Sequence, residues 1–161
     1  MGIMISPDQF FDRPAGALPL PSVVLQGLAL TTWLAAAGAL IIGHPLPAAE
    51  LIVAAACLDA LSIARARREG RADLAYAPLG ALVIPFGFVI ADPARGLAGM
   101  FLLLGLTIWL TQGHSFVRSW FGVLTTLGYA GAAFFPSYFS PLAYLIGVIA
   151  FILAGRGALR R

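Results

Sequence analysis

An aspartate set inside an apolar run is the residue of this chain best placed to do chemistry. Asp59 is flanked by Cys57, Leu58 and Ala60, with no other charge between Glu50 and Arg65. An ionisable side chain in such a run is expensive to keep and marks a functional site by default. The structural alternative is an ion pair or hydrogen bond with Arg65, about one and a half helical turns further on. Directly after it comes Arg65-Ala66-Arg67-Arg68-Glu69-Gly70-Arg71-Ala72-Asp73, four guanidiniums within seven residues. Arg65, Arg67, Arg68 and Arg71 together suit the phosphates of anionic lipid head groups or of a nucleotide-linked substrate. The competing role for such a cluster is to set membrane topology alone.

The other reactive side chains are scattered. His44 and Glu50 fall near one end of the first apolar hairpin and read as solvated boundary residues. His114, between Gly113 and Ser115, lies in a loop expected at the other face, so the two histidines are not expected to share a metal. Cys57 is the single cysteine, which rules out an internal disulfide and reads as a small buried hydrophobe. No CxxC, HxxxH, GxSxG or P-loop spacing occurs. No metal site or cofactor is expected from these residues.

The elements that must position them are membrane spans. Of 161 residues 60% are apolar and only 11% charged, against about a quarter charged in a soluble domain. That leaves too little polar material to wet a globule, and lipid is the natural solvent for the remainder. Six apolar runs, at roughly 23–42, 47–64, 74–91, 96–110, 117–134 and 141–154, predict an all-α integral membrane bundle of about six short transmembrane helices. Residues 1–161 form one membrane domain, with 1–20 as a cytoplasmic or interfacial N-terminal segment. Ile3 to Phe11 has the mixture of apolar and polar residues of a short interfacial helix. The start of the chain lacks a basic stretch leading straight into an apolar core, so no cleavable signal is expected.

Arginine placement orients the bundle. All ten basic residues are arginine. With six spans and the N-terminus in the cytoplasm, nine of the ten fall inside and only Arg95, beside Asp92, falls outside. Both termini are therefore expected in the cytoplasm. The absence of lysine and the abundance of Ala, Leu and Gly point to a GC-rich bacterial source, and so to an inner membrane. Although the pI is about 9.6, the arginines sit in short patches beside apolar runs, and no nucleic-acid partner is expected. Ala56, Ala60 and Ala64 on the second helix, and Gly128, Gly131 and Ala132 on the fifth, offer small faces for close helix packing.

The stretch around Asp59 resembles the CDP-alcohol phosphatidyltransferase family of six-helix membrane enzymes. Their signature, Asp-x-x-Asp-Gly-x-x-Ala-Arg, stands at the cytoplasmic end of the second helix. A Gly-x-x-x-Asp-x-x-x-Asp follows on the third, and the four aspartates hold two divalent metals. Asp59 matches the first aspartate, Ala66-Arg67 the closing pair, and Gly80 the glycine of the third helix. Ser62, Ile84 and Phe88 stand where the other three aspartates belong, Ile63 stands at the first glycine, and the stretch from Arg67 to Gly80 is longer than in the family. Isoleucine and phenylalanine offer no oxygen to magnesium. The resemblance therefore implies kinship to phospholipid synthesis with the metal chemistry lost, and Mg²⁺ only if a divergent site survives.

These residues lead to a non-catalytic accessory, assembly or lipid-binding subunit. It is expected to work through helix–helix packing and an arginine-rich cytoplasmic loop. Its expected partners are membrane lipid and either another membrane protein or a second copy of itself. The alternatives are a divergent CDP-alcohol phosphotransferase, with Asp59 as its candidate catalytic residue, and a small transporter subunit in which Pro78 and Pro85 break a helix.

Overall fold

Long apolar runs rich in Ala, Leu, Val and Ile dictate helices in lipid, and helices are what form. The computed structural model describes residues 10–71, 79–111 and 120–158. A short α1 (Asp12–Ala17) precedes α2 (Ser22–Ile41), α3 (Pro45–Arg68), α4 (Leu79–Ala91), α5 (Gly96–Thr111), α6 (Trp120–Phe134) and α7 (Phe139–Ala158). No strand occurs among the described residues.

Four of these stretches, Ser22–Ile41, Pro45–Arg68, Pro93–Thr111 and Pro136–Arg156, are long and apolar enough to cross a membrane. The last two take in the 3₁₀ turns Pro93–Arg95 and Pro136–Tyr138 that lead into α5 and α7. Trp120–Phe134 and the described part of α4 are apolar but shorter. Large apolar side chains face outwards all round the bundle: Leu104, Leu124, Leu145 and Ile152 are each more than half exposed. Such a surface is at home in lipid, and the chain is membrane-embedded. The expected third span began at residue 74 and the fifth at 117. Residues 72–78 and 112–119 lie outside the described residues, as does most of the expected interfacial helix at 3–11. The described N-terminal helix, Asp12–Ala17, begins just after it.

The hairpin of α2 and α3 is the structural base. Both helices end in the same glycine device. Gly43 (φ 76°) and Gly70 (φ 70°) take the left-handed conformation that L side chains rarely adopt. The amides of His44 and Arg71 then return to the carbonyls of Ala39 and Ala66, and those of Gly43 and Gly70 to Leu40 and Arg67. This is the paired bond of a Schellman cap. On α4, Pro85 is buried within the helix, and Gly87 lies so close to α2 that an added Cβ would stand 3.1 Å from the Ala37 Cα. Gly105 of α5 faces Gly147 of α7 just as closely, with 3.0 Å from an added Cβ to the Gly147 carbonyl. The Phe88 ring stacks on Phe139 at 4.2 Å, tying α4 to the start of α7.

Of the expected small faces, Ala60, Ala64 and Ala132 are buried. Gly128 brings α6 against Leu142, while Gly131 has open space around it. Close backbone approach is how helices gain contact energy in lipid, where no hydrophobic effect drives them together.

Candidate functional site

Asp59 projects from α3 towards α2, where Trp33 meets it: the indole Nε1 donates to Oδ2 over 2.7 Å. Trp33 is buried, and Asp59 is half-buried. The expected partner of the aspartate, Arg65, turns elsewhere. Its Nε donates to Glu69 at 3.0 Å, and its Nη1 donates to the Ala15 carbonyl of α1. The reason is rotational. Six residues along an α-helix amounts to roughly 240° from the starting direction, whereas Glu69, four residues on, lies nearly above Arg65.

The arginine end of the molecule is a knot of charges. Glu69 accepts from the Ser22 hydroxyl at 2.6 Å and from the Ser22 amide at 3.2 Å, so a carboxylate from the end of α3 sits at the start of α2. The positive end of the α2 dipole favours this. The Ser22 hydroxyl, together with its amide and the Arg65 guanidinium, holds the Glu69 carboxyl below its ordinary range. Arg67 donates to the Asp12 carboxylate at 3.2 Å and Arg68 to the Asp12 carbonyl. Three of the four expected phosphate-binding arginines thus hold the N-terminal segment against α3. Arg71, past the Gly70 turn, is exposed.

Beside this knot lies an apolar cavity of about 180 Å³ between α2, α3 and α6. Trp33, the donor to Asp59, lines it from α2. Ala56, Cys57 and Ala60 line it from α3, Val123 and Thr126 from α6, and Phe11 reaches it from the N-terminal segment. Val53 and Leu127, also on its wall, are 42% and 57% exposed, so the cavity opens on the outer face of the bundle.

Other expected positions are dispersed. His44 and Glu50 are exposed at the opposite end of the hairpin, and His114 lies outside the described residues. Among the described residues no three His, Cys, Asp or Glu side chains come together as a metal site. Ser62 is buried with its hydroxyl on the Asp59 carbonyl of its own helix. Ile84 and Phe88 are fully buried in the core. Comparison with family models, with curated proteins and with solved structures finds no match.

Sequence reasoning missed Trp33, Ser22, Glu69 and Asp12 as partners. A usable signal existed for the first three. If α2 and α3 fold back on one another about Leu46, Trp33 and Asp59 lie thirteen residues to either side of it. Ser22 and Glu69 lie twenty-four and twenty-three away. An antiparallel hairpin places such pairs side by side.

Proposed function

We propose that this chain is a non-catalytic, lipid-binding accessory subunit of a bacterial inner membrane. In this reading six helices cross the bilayer, with both termini and the Arg65–Arg71 turn in the cytoplasm. The observation that carries it is the way the chain uses the residues a phosphotransferase would need. Asp59 is spent on Trp33, Ser62 on its own helix, and Ile84 and Phe88 on the core. Each is accounted for by packing, and among the described residues no three His, Cys, Asp or Glu side chains gather to hold a divalent ion. What the chain offers instead is a lipid-facing apolar cavity beside a cationic end, together with glycine-lined contacts suited to close helix assembly.

The test has two arms. Protein purified in mild detergent is incubated with CDP-linked lipid donors and Mg²⁺, and is expected to release no CMP above background. Mass spectrometry of the same preparation is expected to find phospholipid or a membrane-protein partner retained. Release of CMP that disappears in Asp59→Asn overturns the proposal in favour of the phosphotransferase. A free monomer carrying neither lipid nor partner overturns it outright. Topology is read separately in a Cys57→Ala background. Cysteine at Arg71 should be labelled from the cytoplasm and cysteine at Arg95 from the far side; the reverse pattern refutes the orientation.

A further inference from the structure

The N-terminal segment lies in the molecule as a ligand would. Phe11 lines the apolar cavity, and the next residue, Asp12, sets a carboxylate on Arg67. Arg67 belongs to the same stripe of α3 as the cavity wall: Val53, Ala56, Ala60 and Arg67 are spaced to share one helical face. Arg67 stands about 10 Å beyond Ala60 along the axis. A guanidinium at the polar edge and a hydrocarbon-lined cavity one step deeper form a pair of subsites. The first suits a phosphate, and the second has no charged side chain on its wall.

We propose that this is the binding site of an anionic phospholipid. Its phosphate takes the place of the Asp12 carboxylate on Arg67, and one acyl chain enters the cavity beside Phe11. The proposal deepens the lipid-binding reading given above and rests on it. Three observations favour this occupant. First, the cavity of about 180 Å³ exceeds the roughly 150 Å³ apolar cavities that stay dry and accept a small hydrocarbon. It therefore takes in part of an acyl chain, with the remainder passing out between Val53 and Leu127 into the bilayer. Second, the strap's ionic hold on Arg67 is weak: the side chains of Arg67 and Asp12 are 30% and 44% exposed, and pairs this open contribute little. Third, the glycerol and ester atoms of a phospholipid bridge the distance between the two subsites, whereas a free phosphate reaches only one of them. Asp12 thus acts as a tethered competitor for the phosphate subsite on Arg67 when no lipid fills it.

The full chain is reconstituted in bilayers holding equal phosphatidylglycerol and phosphatidylcholine, and the lipid kept after mild extraction is counted by native mass spectrometry. One phosphatidylglycerol per chain is expected, preferred over phosphatidylcholine by about fivefold, the ratio one guanidinium near an anionic surface supplies. Arg67→Gln should abolish the preference and Arg67→Lys retain most of it. Asp12→Ala, which removes the competitor, should raise retention. Filling the cavity from α3 with Ala56→Leu, or independently from α6 with Val123→Phe, should expel the lipid while the arginines remain. Soluble glycerol phosphate should not compete. Equal retention of the two lipids, an unchanged preference in Arg67→Gln, reduced retention in Asp12→Ala, undiminished retention in both filled-cavity variants, or full competition by glycerol phosphate each overturns the site. If the chain still purifies with a protein partner, such a failure refutes the site and leaves the accessory role standing. If it purifies with neither partner nor lipid, both fall.

Discussion

The Trp33–Asp59 bond joins the two helices that carry the rest of the bundle, and its contribution can be worked out before it is measured. Trp33→Ala would empty a buried indole site and cost about 3–5 kcal/mol, most of it unrelated to the hydrogen bond. A double-mutant cycle with Trp33→Phe and Asp59→Leu isolates the pair, because the packing loss of each single variant cancels. In water, removing the donor to a buried acceptor costs about 1–3 kcal/mol. Within a bilayer the unfolded helices also find partners, and measured couplings average about 0.6 and reach about 1.7 kcal/mol. The 2.7 Å length and the burial of Trp33 place this pair in the upper half of that range, at about 1–1.5 kcal/mol. Unfolding by SDS in mixed micelles, followed by far-ultraviolet circular dichroism so that loss of the indole does not disturb the signal, measures it. A coupling below about 0.3 kcal/mol, within the scatter of independent sites, would refute the bond as a tie between α2 and α3.

Two further predictions concern stability. Because Ser22 and Arg65 depress the Glu69 carboxyl, its contribution is present above the ordinary carboxylate pKa and is lost as pH falls through the lowered folded value; micelle unfolding should weaken into that acidic window, and Glu69→Gln should flatten this part of the profile. Gly105→Ala sets a Cβ 3.0 Å from the Gly147 carbonyl and should destabilise by about 1–3 kcal/mol, whereas Gly27→Ala and Gly38→Ala, with open space around them, should be neutral or stabilise by up to about 1 kcal/mol in the same assay.

Much of the fold was legible because helix formation and burial in lipid are local and compositional. Each apolar run bounded by Gly43-His44-Pro45, by the arginines or by Asp92-Pro93 holds one helix, and Ala60 and Ala64 lie on a packed face as their spacing implied. The site was less legible, because its bonds join residues far apart in the chain. Asp59 stood out by its charge in an apolar run, yet its donor is twenty-six residues earlier on another helix. The local candidate, Arg65, lost to helical rotation. The arginine cluster read as a phosphate-binding or topology-setting group. Asp12, fifty-five residues before Arg67, became its partner only once the N-terminal segment had folded back, and the spacing of the cluster held no sign of that. The cavity was beyond sequence reasoning altogether, since it is a gap between α2, α3 and α6 that no single helix encodes.

The Glu69 carboxylate on the first turn of α2 has a consequence for how this chain is built. The hairpin is stitched at both extremities, by the Gly43 turn at one and by Ser22 to Glu69 at the other. Every atom of both stitches has been synthesised by the time Gly70 leaves the ribosome. Helices α2 and α3 can therefore lock into a finished clasp before α4 has left the ribosome, giving each later helix a settled wall to pack against.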